Sequence, residues 1–389
     1  MTFYIQHGYG KGSKIADVAD GGHLSGVILS PADEEQAALS ATAEACRSAG
    51  VRVLLDPQAY VYATTPVGRG RCHADHGLDL GALHWSQSAA ATSQAVQRVE
   101  RANADLGIRG PFIAPTVPQS SFTDVWTPLA IQFARTAESE WGGDNTIASI
   151  VVDEGAFADW ASVEDWLDVA TTLDVAGFYI LVDRHRTQYP SLPWEVARLT
   201  NLLRLIYRLS VLNDYFVVWG YSDFEGLLGL AAGADASSAG WSYSLRQFNV
   251  SKWQPRPPGG QAATARLTLA RLWAPVRAEA EAEPLFESAL KDELFSRRQI
   301  SRFERSPFSA WGRSEAQVQH LRLLANLADR VVAEADVSVR VDSMVDRLGE
   351  AERRLQRASR LGIVLPPTYL SRVQGYSAAL SAFASAEAL

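Results

Sequence analysis

The chain has 389 residues, of which 47% are hydrophobic and 21% are charged, and its formal net charge is -8 at pH 7. This composition is typical of a globular protein with ample length for a large core. Its negative charge excludes a global attraction to nucleic acid or anionic membrane, and its two cysteines, Cys46 and Cys72, exclude a disulfide scaffold. With no secretory leader pattern and no apolar run of about 18 residues, we expect a cytoplasmic protein that does not span a membrane.

Eight short apolar runs, each followed by a polar or glycine-bearing turn, recur over the first two thirds of the chain. They are Phe3–His7, Gly26–Ser30, Val51–Asp56, Phe112–Thr116, Ala148–Glu154, Gly177–Asp183, Tyr215–Gly220 and Ala234–Gly240. Helical patterns separate most of the runs, which indicates βαβ units and a parallel sheet. Because eight such units close a barrel, the sequence predicts an α/β fold with a (β/α)8 TIM-type barrel over residues 1–253. An open doubly wound sheet is the alternative.

Most of the intervening helices have recognisable boundaries. The predicted helices are a short one at Lys14–Ala19, one from about Pro31 to Ser48, and then Ala89–Leu106, Ser162–Ala170, Pro193–Leu212 and Asp223–Ala232. A long insertion, at about residues 57–111, follows the third run. In a barrel, such an insertion usually builds or covers the active site.

The sequence changes character after Trp253. A linker rich in proline and glycine is predicted at residues 254–261, followed by a C-terminal α-helical domain at residues 262–389. Its predicted helices are Ala262–Glu281, Pro284–Gln299, Glu315–Glu334, Ser338–Arg360 and Pro367–Ala386. We expect this domain to pack across the barrel or to bind a protein partner or a second copy of the chain.

A cluster of arginines with aromatic neighbours lies in the C-terminal region. It consists of Arg297, Arg298, Arg302 and Arg305, with Phe303 and Phe308 among them. Aromatic rings beside arginines suit the stacking of nucleic-acid bases. The alternative interpretation is a solvated helix end.

Acidic residues follow several of the predicted strands, where barrel enzymes place their catalytic groups. The candidates for catalysis are Asp56, Asp153, Glu154 and Asp183. The alternation of side chains along a strand directs Asp153 into the barrel mouth and Glu154 towards the helices. Asp56 has an alternative role as a turn cap, and Asp183 as the acid of an Asp–Arg pair that holds the loop Asp183-Arg184-His185-Arg186.

The ends of the predicted strands also carry residues that suit substrate binding. The candidates are His7, Gly220, Tyr221, Gly240, Trp241 and Arg246. Glycines after the seventh and eighth strands allow an anionic group to approach backbone N–H groups, although close packing of strand and helix also explains them. Flat aromatic surface suits a base or sugar, and an arginine suits an anion.

No cofactor is predicted, although the acids are compatible with a divalent metal ion. Asp56, Asp153 and Asp183 offer the oxygen ligands that such an ion prefers. The segment Cys72–His76 is dense in zinc ligands, but no distant pair of ligands completes a tetrahedral set.

The last two units carry a local resemblance to a known family. Over Phe216–Arg246, a strand and a glycine lead through a short helix to Gly233-Ala234-Asp235, a strand and an arginine-bearing loop. This order resembles tRNA-guanine transglycosylase-type barrels, and the resemblance implies a barrel fold and base exchange at an N-glycosidic bond. Ser237, Ser238 and Ala239 stand where that family has its nucleophilic aspartate, and its cysteine-rich zinc motif has no counterpart, so no catalytic residue is transferred.

These observations predict an enzyme that acts on a small polar, nucleoside- or sugar-like substrate. A hydrolase or a glycosyl-type transferase fits best, because two carboxylates in different environments can divide the acid, base and nucleophile roles. Asp56 and Asp153 are the leading pair. The alternative is a non-catalytic barrel that serves as a binding or assembly component through its C-terminal helices.

Overall fold

A computed structural model describes residues 2–63, 70–83, 88–185, 188–254 and 264–389. The first two thirds of the chain contain eight parallel strands. They are β1 (Phe3–Gln6), β2 (Gly26–Leu29), β3 (Arg52–Leu55), β4 (Phe112–Ile113), β5 (Thr146–Asp153), β6 (Gly177–Asp183), β7 (Phe216–Trp219) and β8 (Ala236–Ala239). Each overlaps one of the predicted runs.

The strands form one sheet in the order β3-β2-β1-β8-β7-β6-β5-β4. Ile5 of β1 lies opposite both Val27 of β2 and Ala239 of β8, so the first strand joins the two halves of the sheet. The edge strands β3 and β4 approach each other to within 8 Å between Cα atoms. The sheet is therefore a nearly closed barrel, which confirms the predicted fold class.

Within the described residues, seven helices accompany the strands. They are α1 (Lys14–Ala19), α2 (Gln36–Ser48), α3 (Ala89–Asp105), α4 (Thr127–Trp141), α5 (Trp160–Ala170), α6 (Val196–Tyr207) and α7 (Glu225–Ala231). Helix α4, which buries Leu129 and Phe133, was not predicted. Helix α5 begins two residues before the predicted start at Ser162, because the carboxylate of Asp159 accepts the backbone N–H groups of Ala161 and Ser162.

The C-terminal region is largely helical, as predicted. Its helices are α8 (Glu283–Phe286), α9 (Lys291–Leu294), α10 (Arg297–Phe303), α11 (Arg313–Val332), α12 (Val337–Arg360) and α13 (Pro367–Glu387). The predicted helix Pro284–Gln299 is wrong as a single element. It divides into α8, α9 and the start of α10, where Ser296 and Gln299 form a reciprocal capping box that begins a new helix.

The predicted helix Ala262–Glu281 is also wrong. Its described part forms an antiparallel hairpin of β9 (Arg266–Leu269) and β10 (Ala274–Arg277). Pro275 would remove a hydrogen bond from the interior of a helix. Trp273 adopts left-handed backbone with φ of 52°, which turns the chain back. Most of the predicted linker at residues 254–261 lies outside the described residues.

Buried polar contacts dock the C-terminal helices on the barrel. His320 of α11 is fully buried, and its Nε2 lies 2.9 Å from Oδ1 of Asp223 in the turn after β7. The hydroxyl of Thr268 on β9 is 2.9 Å from Nδ1 of the same ring. On α13, Glu387 receives hydrogen bonds from Arg204 and Arg208. Helix α11 is thus fixed to the turn after β7, and α13 to the end of α6.

Burial lowers the pKa of His320 to about 4, so the ring is neutral in the folded protein near pH 7. Because its pKa in the unfolded chain is higher, about 6.5, stability should fall by up to about 3 kcal/mol as the pH drops from 6.5 to 4. Urea unfolding across this range should show that His320→Gln removes this part of the pH dependence. His23→Gln, which changes a half-buried histidine that contacts Asp329 of α11, serves as the comparison. Equal pH slopes in His320→Gln and the wild type would contradict the prediction.

Candidate active site at the barrel mouth

A polar network fills the carboxyl end of the barrel around Asp56. The hydroxyl of Tyr60 donates to Oδ2 of Asp56 at 2.9 Å, and the backbone N–H of Gln58 donates to Oδ1 at 3.0 Å. The hydroxyl of Tyr179 lies 3.3 Å from Oδ2 and 3.2 Å from Oε1 of Gln6. Side chains from β1, β6 and the end of β3 therefore converge on one carboxylate inside the barrel.

Asp56 is 1% exposed, and its environment favours the protonated form. Burial raises the pKa of Asp56 to about 6, against the opposing effect of the hydrogen bonds from Tyr60, Gln58 and Tyr179. Among the described residues, no cationic group lies within ion-pair distance, and the charge of Lys252 lowers the pKa only slightly. Asp56 therefore changes its charge close to neutral pH, as a general acid or base does.

The segment of residues 247–254, here called the cover segment, lies over this carboxylate. Its Phe248 ring packs edge-on against Tyr60 and Tyr221, with centroid distances of 5.2 and 5.4 Å. The ammonium group of Lys252 lies 3.3 Å from Oδ2 of Asp33, which follows β2. The cover segment thus shields Asp56 from water, and an ion pair joins it to the residues that follow β2.

A second set of acidic residues lies at the carboxyl ends of β5 and β6. Asp153 of β5 and Asp183 of β6 are opposite each other in register. His185 contacts Asp153 through Nε2, while its backbone N–H donates to Oδ1 of Asp183 at 2.8 Å. Oδ2 of Asp183 accepts from the backbone N–H of Val250 in the cover segment at 3.2 Å, and burial raises the pKa of Asp183.

Glu154 faces away from the mouth, as the alternation of side chains predicts. It accepts a hydrogen bond of 2.9 Å from Nε of Arg184 and lies 3.8 Å from Nη1 of Arg198 on α6. Glu154 therefore contacts Arg184 and Arg198 and not His185, which Asp153 and Asp183 share.

The candidate binding residues fall into separate groups. Tyr221 lies in the mouth under Phe248. His7 is fully buried, with its ring edge-on to Trp241 and its Nε2 3.5 Å from Glu34. Tyr221 shares the immediate surroundings of Asp56, and Gly220 lies against Tyr179 of the same network.

Arg246 is buried and is held by groups of its own chain. It donates to the carbonyl oxygens of Gly240 and Trp241 at 3.1 and 3.2 Å and to the hydroxyl of Tyr189 at 2.8 Å. Neither Gly220 nor Gly240 has room for a side chain, because an added Cβ would lie 2.5 Å from Leu181 and 2.4 Å from Leu245, respectively. Close packing, the alternative left open by the sequence, accounts for both glycines.

The backbone is strained in the turns that follow three of these strands. Gln58, His185, Tyr221 and Asp223 all have positive φ, between 46° and 52°. Such conformations are unfavourable for residues other than glycine and concentrate at functional sites. They lie here in the turns that carry the side chains around Asp56 and Asp183.

Sequence reasoning missed several members of this site. Gln6 and Tyr179 are polar side chains inside predicted strands, and alternation along β1 and β6 was a signal that could have found them. Tyr60 and Lys252 lie on short 3-10 helices, Ala59–Ala63 and Val250–Trp253. Nothing in their local sequence indicates that they approach Asp56.

Among the described residues, no group of three or more histidine, cysteine, aspartate or glutamate side chains is arranged to hold a metal ion. In the segment Cys72–His76, His73 pairs with the hydroxyl of Tyr62 at 2.8 Å, and His76 with the carbonyl of Glu34 at 2.8 Å. Across the described part of the chain, no helix is both long and apolar enough to cross a membrane.

Comparison of the chain with protein-family models, with curated proteins and with solved structures finds no match in any of the three.

The raised pKa of Asp56 has a consequence for stability. The folded state binds the proton more tightly than the unfolded chain, so the stability that protonation contributes is present below about pH 3.8 and is lost as the pH rises through about 6. Asparagine does not titrate, so Asp56→Asn should not show this loss, which amounts to up to about 3 kcal/mol in the wild type. The free energy of unfolding of Asp56→Asn, relative to that of the wild type, should therefore rise between pH 4 and 8. Urea unfolding measures the effect, with the exposed variant Asp342→Asn as the control. If the free energies of unfolding of Asp56→Asn and the wild type differ by a constant amount across this range, the pKa of Asp56 is not raised in the folded protein.

Proposed function

We propose that this chain is an enzyme that acts on a small polar, nucleoside- or sugar-like substrate at the barrel mouth, by hydrolysis or glycosyl-type transfer. The observation that carries the proposal is Asp56, a carboxylate that is 1% exposed, has a pKa of about 6 and ends a barrel strand. A buried acid without a paired cation is costly to the fold. Its position at the carboxyl end of a strand is that of a catalytic group.

In hydrolysis, protonated Asp56 donates its proton to the leaving oxygen or nitrogen as the glycosidic bond breaks. The carboxylate that remains accepts a proton from the attacking water, so that one water is consumed and Asp56 is restored. The Asp153–Asp183 pair, in contact with His185, supplies the negative charge that opposes the positive charge developing on the sugar carbon. The resemblance of Phe216–Arg246 to transglycosylase barrels adds transfer as the related reaction and contributes no residue.

Asp56→Asn should lower turnover by about 100-fold or more, the range for loss of a general acid or base. The measurement is the release of free base or aglycone from a panel of ribonucleosides and nitrophenyl glycosides. Asp342→Asn, which changes an exposed carboxylate on α12, should behave as the wild type. Turnover by Asp56→Asn at the wild-type rate would contradict the proposal. It would also be contradicted if the wild type converted no member of the panel and no member raised its unfolding temperature.

One observation favours the alternative, a non-catalytic barrel. The cover segment lies over Asp56, and the neighbouring cavity, lined by Arg184, Glu225 and Arg246, has a volume of only about 20 Å³. This is room for about one water molecule. Catalysis therefore requires displacement of the cover segment, whereas a binding or assembly role does not.

The ion pair between Lys252 and Asp33 is one of the contacts that oppose displacement of the cover segment. Lys252→Met should speed hydrogen exchange in residues 247–254 by up to about fivefold, because partly exposed pairs contribute at most about 1 kcal/mol. Mass spectrometry measures the exchange, and Lys291→Met, which removes a surface pair with Glu304, is the matched control. Equally slow exchange in the wild type and both variants would support a fixed cover and the non-catalytic alternative.

A further inference from the structure

A groove lined by arginines lies between β9, α10 and α11. Its volume is about 880 Å³, and five arginines line it: Arg271, Arg298, Arg302, Arg305 and Arg322. The carboxylates among its described lining residues are Asp17 and Glu315. None of its lining residues belongs to the network around Asp56. A strongly positive surface has therefore formed on a chain whose net charge is -8.

The guanidinium groups of this groove are incompletely neutralised. Arg298 is exposed and makes no hydrogen bond or ion pair within the described residues. Arg305 bonds only to the carbonyl and hydroxyl of Ser301, within its own turn. Arg302 donates to both carboxylate oxygens of Glu315 and to the carbonyl of Ala310, each at 3.4 Å, so its charge is partly neutralised. Arg298 and Arg305 therefore have donors available for an anionic ligand.

The other two arginines donate to backbone oxygens. Arg322 bonds to the carbonyl of Asp17, and Arg271 to that of Glu293. A neutral carbonyl accepts a hydrogen bond without cancelling the charge of the guanidinium. Both therefore add positive potential to the groove while they remain fixed in position.

The aromatic rings beside the arginines are not exposed to a ligand. Phe303 and Phe308 stack on each other with a centroid distance of 3.9 Å and are only 7% and 4% exposed. They pack with Phe286 and Trp311 in an apolar cluster under α10. These rings therefore offer no accessible surface for the base stacking that the sequence suggested. Recognition of a ligand by this groove depends instead on the charge of the arginines.

We propose that this groove binds a ligand with several phosphoryl groups in a row. Arg298 and Arg302 are four residues apart, so they lie on one face of α10 at a rise of about 6 Å along the helix. The lining cations are all arginines, whose planar fork matches phosphate oxygens in pairs. The backbone of a nucleic-acid strand and free inorganic polyphosphate share this chemistry.

The test uses the full chain and two double variants of equal charge. Arg298→Ala with Arg305→Ala changes the groove, and Arg353→Ala with Arg360→Ala removes two exposed arginines of α12 as the control. Fluorescence anisotropy of a labelled oligothymidylate of about 20 nucleotides measures binding, and inorganic tripolyphosphate and poly-glutamate serve as competitors. Thermal unfolding checks that all variants are folded.

The groove variant should bind the oligothymidylate about tenfold more weakly, while the control retains wild-type affinity. For the groove variant, the plot of log affinity against log salt concentration should be less steep by about 1.4. Each of the two lost phosphate contacts contributes about 0.7 to the steepness for a single strand. Weak competition by tripolyphosphate identifies a nucleic-acid backbone as the ligand, and strong competition identifies free polyphosphate. The proposal would be overturned if both double variants lost affinity for the oligothymidylate equally, or if poly-glutamate competed as well as tripolyphosphate. It would also be overturned if the wild type bound neither the oligothymidylate nor tripolyphosphate at low salt.

Discussion

Desolvation of Asp56 inside the barrel is the constraint on which the candidate site depends. The alternation of side chains along β3 directs this residue inward, where water cannot solvate its charge. Tyr60, Tyr179 and the backbone of Gln58 surround the carboxylate and reduce the energetic cost of ionisation, but the pKa still rises to about 6. The same burial that makes Asp56 chemically responsive near neutral pH also requires a cover, which the segment 247–254 provides.

The turn after β7 connects this mouth to the C-terminal helices. Tyr221 and Asp223 both adopt left-handed backbone, and their side chains enter different environments. Tyr221 packs under Phe248 in the cover segment, whereas Asp223 meets His320 of α11. A movement of α11 would therefore act on the same turn that holds one side of the mouth. The C-terminal region is in this sense part of the scaffold of the site.

Electrostatics act differently in the two candidate sites. In the mouth, a single carboxylate is isolated from solvent, so burial dominates its pKa. In the groove of α10 and α11, the charges are close to solvent, and several arginines act together. The net charge of the whole chain, -8, predicts neither arrangement, because it averages over surfaces that face different directions.

The sequence by itself determined the barrel and the acids at its strand ends. Apolar runs of strand length, separated by helical patterns, specify a parallel sheet, and polar residues that end those runs must reach the carboxyl edge. Only the tertiary structure decided which of these residues meet. Tyr179 is 123 positions from Asp56, and their contact depends on closure of the sheet and on its register. The hairpin at Arg266–Arg277 and the burial of Phe303 and Phe308 depend likewise on packing partners distant in sequence, which a local pattern of residues does not contain.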